Sequence, residues 1–143
     1  SLKFGGIYHQ VSKSDGAYRL GFEKAAWYEF WKRSDDPFRG KGPIYCFTAV
    51  FAPVDLKASI YHRWQYRTTN SQGEHRFLTS DRIRIPISGG REAGYRAYTR
   101  KTHMSPGLWR VNVETEEGRL IGRVDFSVDE DGGAAREFDS ITY

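Results

Sequence analysis

Between Ile44 and Val128 nearly every second residue is apolar, and the positions between are mostly polar or charged. The pattern is cleanest after the Pro106-Gly107 turn. Trp109, Val111 and Val113 point one way, while Arg110, Asn112 and Glu114 point the other. Glu117-Gly118 turns the chain, and Leu120, Gly122, Val124, Phe126 and Val128 are expected to return along the same apolar face. A period of two on both arms, with a glycine-bearing turn between them, specifies an antiparallel hairpin with one buried face.

The same reading extends upstream. Ile44-Tyr-Cys-Phe-Thr-Ala-Val-Phe51 is β-branched and aromatic throughout, which predicts a strand covered on both faces. In Ser59–Arg67, Ile60, His62, Trp64 and Tyr66 share one face, and Tyr61, Arg63, Gln65 and Arg67 share the other. Thr69-Asn-Ser-Gln-Gly73 reads as a hairpin loop. The return strand, His75–Ile87, puts Ile83, Ile85 and Ile87 inward and Arg82 and Arg84 outward. Pro86 lacks a backbone donor and so predicts an edge position. Tyr95–Lys101 is a further strand, and Tyr18–Phe22 alternates likewise. Glu23–Lys32 fits either period, and its aromatic content tips it toward strand. Two prolines and two glycines make Asp35–Pro43 a loop.

About seven strands with regular turn signals predict an all-β fold, an immunoglobulin-like antiparallel β-sandwich. In such a sandwich Cys46 and Trp64 take the places of the first cysteine and the core tryptophan. Val111 then stands at the second-cysteine position and Trp109 at that of the corner tyrosine. The expected organisation is an N-terminal extension over residues 1–43, whose first strand or strands pack on the sandwich. A core over residues 44–128 and a loose acidic C-terminal tail over residues 129–143 complete it.

A chain of 143 residues suits one domain that buries roughly two-thirds of its unfolded surface. It carries no apolar run long enough to span a membrane. It starts Ser-Leu-Lys-Phe, without Met, and is expected to be a piece of a longer protein whose signal or anchor lies elsewhere. The single cysteine excludes an internal disulfide and a cysteine-rich zinc site. The net charge of +4 is unevenly spread. Lys57–Arg110 holds eleven basic and three acidic residues, whereas Asn112 onward holds three basic and nine acidic. In a sandwich these segments lie side by side, and cross-strand ion pairs are expected to cancel much of the difference.

Few residues suggest chemistry. His62 beside Trp64 on an apolar face reads as a core histidine bonded to a backbone carbonyl, in preference to a ligand site. Cys46 with His62 could form a nucleophile and base, but an inward thiol more commonly fills space, and no oxyanion-hole motif accompanies the pair. His9, His62, His75 and His103 have no metal-binding spacing, and Asp129-Glu-Asp-Gly-Gly133 lacks the alternating oxygen ligands of a calcium loop. No catalytic residue, metal or cofactor is therefore assigned. The outward arginines draw more interest. Tyr61, Arg63 and Arg67 lie on one strand, Arg110 on its expected neighbour, and Arg119 and Arg123 on the next. Convergence would give a surface for carboxylates, phosphates or a protein partner. Glu114 and Asp125 interleave with them, as in an ordinary solvated face.

Four segments together carry a family resemblance: Ile44-Tyr-Cys-Phe-Thr-Ala-Val50, Tyr61-His-Arg-Trp-Gln-Tyr66, Tyr95-Arg-Ala-Tyr-Thr-Arg-Lys101, and Pro106-Gly-Leu-Trp-Arg-Val-Asn-Val-Glu-Thr-Glu-Glu-Gly118. They resemble the bacterial domain of unknown function numbered 2914, over about Ile44 to Val128. The resemblance implies a domain placed C-terminal to membrane-anchoring segments, with no established activity. The resulting expectation is a non-catalytic binding domain of a membrane-associated protein in the bacterial cell envelope, on the extracytoplasmic side. Its site would be Tyr61, Arg63, Arg67, Arg110 and Arg123. Its partner would be a protein, a glycan or an anionic envelope component. Binding of nucleic acid or another polyanion by the same face is the alternative; no signature of a nucleic-acid-binding fold supports it.

Overall fold

The computed structural model describes residues 2–23, 38–39, 42–51, 59–85, 95–129 and 138–143, and among these every regular element is a strand. The seven expected strands are present: β3 (Ala17–Glu23), β5 (Ile44–Val50), β6 (Ile60–Thr69), β7 (His75–Ile85), β8 (Tyr95–Lys101), β9 (Gly107–Glu114) and β10 (Leu120–Asp129). Four more join them: β1 (Leu2–Tyr8), β2 (Gln10–Ser14), β4 (Phe38–Arg39) and β11 (Phe138–Thr142). Two of these change the sequence reading. Phe38–Arg39, inside the expected loop, pairs parallel with β10, and Phe138–Thr142, inside the expected loose tail, pairs antiparallel with β3. The aromatic stretch at Trp27–Trp31, Pro86 and Ile87, and most of the Asp129–Gly133 loop lie outside the described residues.

The strands form three sheets, ordered β1-β5-β8, β4-β10-β9-β6-β7 and β11-β3-β2. The first lies in the middle, which explains why β5 has no solvent-facing side: all seven of its residues are buried. Ile44 and Cys46 meet Trp64, Trp109, Val111, Phe126 and Val128 of the five-stranded sheet. Tyr45 and Phe47, of opposite parity, pack against Val11, Tyr18, Leu20 and Phe22 of the third sheet. A strand clothed by two neighbours must be apolar at every position, and this one is. Val50, Ile60, Ile85, Ala97 and Val113 make a further core cluster. Cys46 and Val111 share the main cluster, and the Trp109 indole N–H donates to the Ser105 carbonyl four residues upstream, 2.8 Å away.

Strands β1 and β10 close one side of this core, and glycines allow it. A Cβ on Gly122 would lie 2.4 Å from Leu2 Cβ, and one on Gly5 would lie 2.8 Å from Val124 Cγ2. Neither position has room for a side chain as the backbones stand.

Two irregularities reset the alternation. A bulge between Leu120 and Gly122 puts Leu120 opposite Glu114, on the outward side, where it is exposed. The expected placement of Leu120 on the apolar face is thereby corrected: one extra residue in a strand reverses the parity of everything before it. A second bulge puts Asp81 opposite Trp64 and Thr79 opposite Gln65, with Ser80 as the inserted residue. The edge position expected for β7 holds in the five-stranded sheet.

Candidate functional site

The outward side of the five-stranded sheet is built by register. Arg63 stands opposite Arg82 on β7 and Asn112 on β9, and Asn112 stands opposite Arg123 on β10. One row away, Gln65 faces Arg110, which faces Asp125; beyond it, Arg67 faces Phe77. Paired residues share a face. All five residues named from the sequence, Tyr61, Arg63, Arg67, Arg110 and Arg123, therefore lie on one surface.

Their partners divide that surface into two ends. At one, the buried Glu114 carboxylate accepts hydrogen bonds from Arg63 Nε at 2.8 Å and Arg82 Nε at 3.2 Å. Arg82 also donates to the Thr115 and Glu116 carbonyls, and its guanidinium lies over the Tyr61 ring, 3.9 Å from the centroid. Arg123 Nε donates to Asn112 Oδ1 at 2.7 Å, and Asn112 Nδ2 donates to Gln65 Oε1 at 3.0 Å. This end is closed on itself. Its cations are held by the acidic and amide groups that interleave with them, the cross-strand cancellation that the charge distribution predicts.

The other end is open. Arg110 lies over the Phe77 ring, 3.4 Å from its centroid, and its Nε is 3.5 Å from Asp125 Oδ1. Burial, and secondarily repulsion from Arg123, hold this guanidinium below its usual range, with Asp125 opposing. A cleft of about 590 Å³ opens here, walled by Arg67, Phe77, Leu108, Arg110, Asp125 and Ser127.

Sequence reasoning missed Phe77 and Leu108, and it placed Arg82 outward without its partners. Phe77 was within reach, because counting back from the Asn70–Gly73 turn pairs it with Arg67. The partners of Arg82 were not. The same count puts Asp81 opposite Arg63, and only the Ser80 bulge substitutes Arg82.

The inward polar residues form a separate group. His62 is fully buried, with Nδ1 2.7 Å from Thr99 Oγ1 and Nε2 2.8 Å from Thr48 Oγ1. The Trp64 indole N–H donates to the same Thr99 hydroxyl at 3.0 Å. The partners are threonine hydroxyls on the facing sheet, where a backbone carbonyl was expected. Burial lowers the His62 pKa to about 3 and pushes the Cys46 thiol well above its usual range. A neutral imidazole with both nitrogens engaged is suited to holding two sheets together, and a protonated thiol that solvent does not reach is suited to filling space. Among the described residues no cluster of three or more His, Cys, Asp or Glu side chains could hold a metal ion, and no helix is long and apolar enough to cross a membrane.

A family model described as a protein of unknown function, DUF2914, matches residues 57–128. That span runs from just before β6 to the last residue but one of β10, and it contains every residue of the outward face named above. No curated protein matches the chain.

Proposed function

The chain belongs to the DUF2914 family, and from that premise we propose that it is a non-catalytic binding domain of a bacterial membrane-associated protein. The domain works on the extracytoplasmic side of the envelope, where the outward face of its five-stranded sheet meets a protein, a glycan or an anionic envelope component. One observation carries this reading. Among the described residues, that face presents Arg63, Arg67, Arg82, Arg84, Arg110 and Arg123 against only Glu114, Asp125 and Asp129. A surface with that excess draws anionic groups and orients them through guanidinium forks. The threonine-bound His62 and the buried Cys46 support a structural role for the residues that could otherwise serve as base and nucleophile.

The test is photo-cross-linking in the intact protein within its own cells. A diazirine analogue of leucine at Leu108 should yield adducts, and a photo-reactive residue at Lys13, on the third sheet, should not. Alanine at Arg67 and Arg110 should abolish the Leu108 adducts; adducts that persist unchanged would remove this site. The excess of arginines also favours the polyanion reading, which predicts binding that falls steeply with salt as counterions are released. A gel-shift experiment with single- and double-stranded probes at low salt decides it, and no shift eliminates nucleic acid.

A further inference from the structure

We propose that the Arg67–Arg110 cleft binds a carboxylate that has an apolar side chain beside it, as presented by an acidic peptide segment of a partner protein. This rests on the reading of the face as a partner surface and specifies the chemistry that the face selects.

Four arginines of the face already have acceptors for Nε. Nε of Arg63 and of Arg82 each donates to Glu114, Nε of Arg123 to Asn112, and Nε of Arg84 to Ser59 Oγ at 2.7 Å. The two remaining cations of the face differ. Arg110 Nε is buried with no hydrogen-bond acceptor, since Asp125 at 3.5 Å is beyond the roughly 2.7–2.9 Å of a charge-assisted bond. Arg67 is exposed and has no hydrogen bond or ion pair among the described residues. These two side chains wall the same cleft. A guanidinium whose nearest carboxylate stands too far off for a short hydrogen bond favours a better-placed anion in the cleft that it lines. The Phe77 ring fixes the plane of the Arg110 guanidinium, so its fork is oriented before the ligand arrives.

Part of the cleft's lining is apolar. Phe77 flanks Arg110, and Leu108 is 41% exposed between two concavities. The second concavity, about 580 Å³, shares Arg67, Leu108 and Ser127 with the first and continues past Pro106 and Gly107 toward Asp129. Two adjoining clefts of this size exceed what one small carboxylate fills, whereas a peptide with residues on both sides of its acidic group would occupy both. Asp125 and Asp129 border the path and disfavour a ligand with several negative charges in a row, such as a nucleic-acid backbone.

The experiment is a nuclear magnetic resonance titration of the 143-residue chain with acetyl-Ala-Phe-Glu-Ala-amide, its Gln counterpart, and N-acetylphenylalanine. The signals followed are the Nε–H groups of Arg67 and Arg110 and the Trp109 indole N–H. The Glu peptide should shift these and leave Tyr61 and Arg84 unmoved. The Gln peptide, and the Glu peptide on Arg67→Gln, should bind about tenfold more weakly, the equivalent of one charged hydrogen bond. Arg67→Gln removes no hydrogen bond or ion pair among the described residues, so it serves even if Arg110→Gln fails to fold. N-acetylphenylalanine should bind about fivefold more weakly than the peptide, because it leaves the second concavity empty. Equal binding of the Glu and Gln peptides, or unaltered binding by Arg67→Gln, would overturn the carboxylate assignment. Equal binding of N-acetylphenylalanine would overturn the peptide. Cross-links at Leu108 without Glu selectivity would sink the cleft chemistry alone; Glu selectivity without cross-links would sink the partner reading alone.

Discussion

His62 lies between Thr48 and Thr99 where its charged form has no water around it, and burial lowers its pKa from 6.5 to about 3. In the window between those values the unfolded chain takes up this proton and the native state does not. Stability therefore rises with pH through the window and is lost as pH falls below about 6.5. From about pH 7.5 to about pH 5 the unfolded state gains stabilisation from a group of pKa 6.5 while the native state gains almost none, a loss of ~2 kcal/mol. Asp81, whose pKa Lys101 lowers through a hydrogen bond, works in the same direction; its contribution is lost below its unfolded value of 3.8, outside this window. Urea unfolding followed by tryptophan fluorescence at several pH values measures the loss. His62→Gln retains an amide that can bond one threonine and has no proton to gain, so its dependence over this range should be smaller by the same ~2 kcal/mol. If His62→Gln lost as much stability as the parent chain, or if the native His62 ring titrated near 6.5, the assignment of this histidine to a dry intersheet bond would be wrong.

Three other outcomes follow from particular contacts. Glu114→Gln should cost about 1–3 kcal/mol, since the partly exposed Arg63 and Arg82 would lose the buried carboxylate that they share; thermal unfolding reads it. Gly5→Ala should destabilise by about 1–3 kcal/mol through its clash with Val124 Cγ2, and Val124→Ala in the same chain should recover part of that, because it removes the clashing methyl. Cys46 should react with iodoacetamide only as fast as the protein opens, so the rate should climb with urea; rapid labelling of the native protein would place the thiol at the surface.

Much of the architecture is legible in local pattern. Period two with β-branched and aromatic residues marks seven strands, and the unbroken apolar run of β5 announces a strand with a sheet on each side. The four strands not foreseen carry weak local signals. Gly5 and Gly6 dilute β1, β2 has Val11 as its only buried residue, β4 is two residues long, and β11 is a five-residue segment completed by β3. The candidate site was legible as a face but not as a site. Alternation puts Tyr61, Arg63, Arg67, Arg110 and Arg123 outward, yet says nothing about which of them already has an acceptor.

What the sequence determined alone was the parity of each strand between bulges, because a side chain one residue along a regular strand points to the other face whatever the fold. It determined, too, that acidic and basic segments would lie close enough to pair. Only the tertiary structure decided register. The bulges at Ser80 and before Gly122 each add a residue that no composition signals, and they put Arg82 on Glu114 and Leu120 in solvent. Register in turn decided the detail of the candidate site: it gave Arg63, Arg82 and Arg123 partners within the sheet and left Arg67 and Arg110 together at an open cleft. Partner choice is a matter of ångströms between strands far apart in the chain, and local pattern carries no information at that scale.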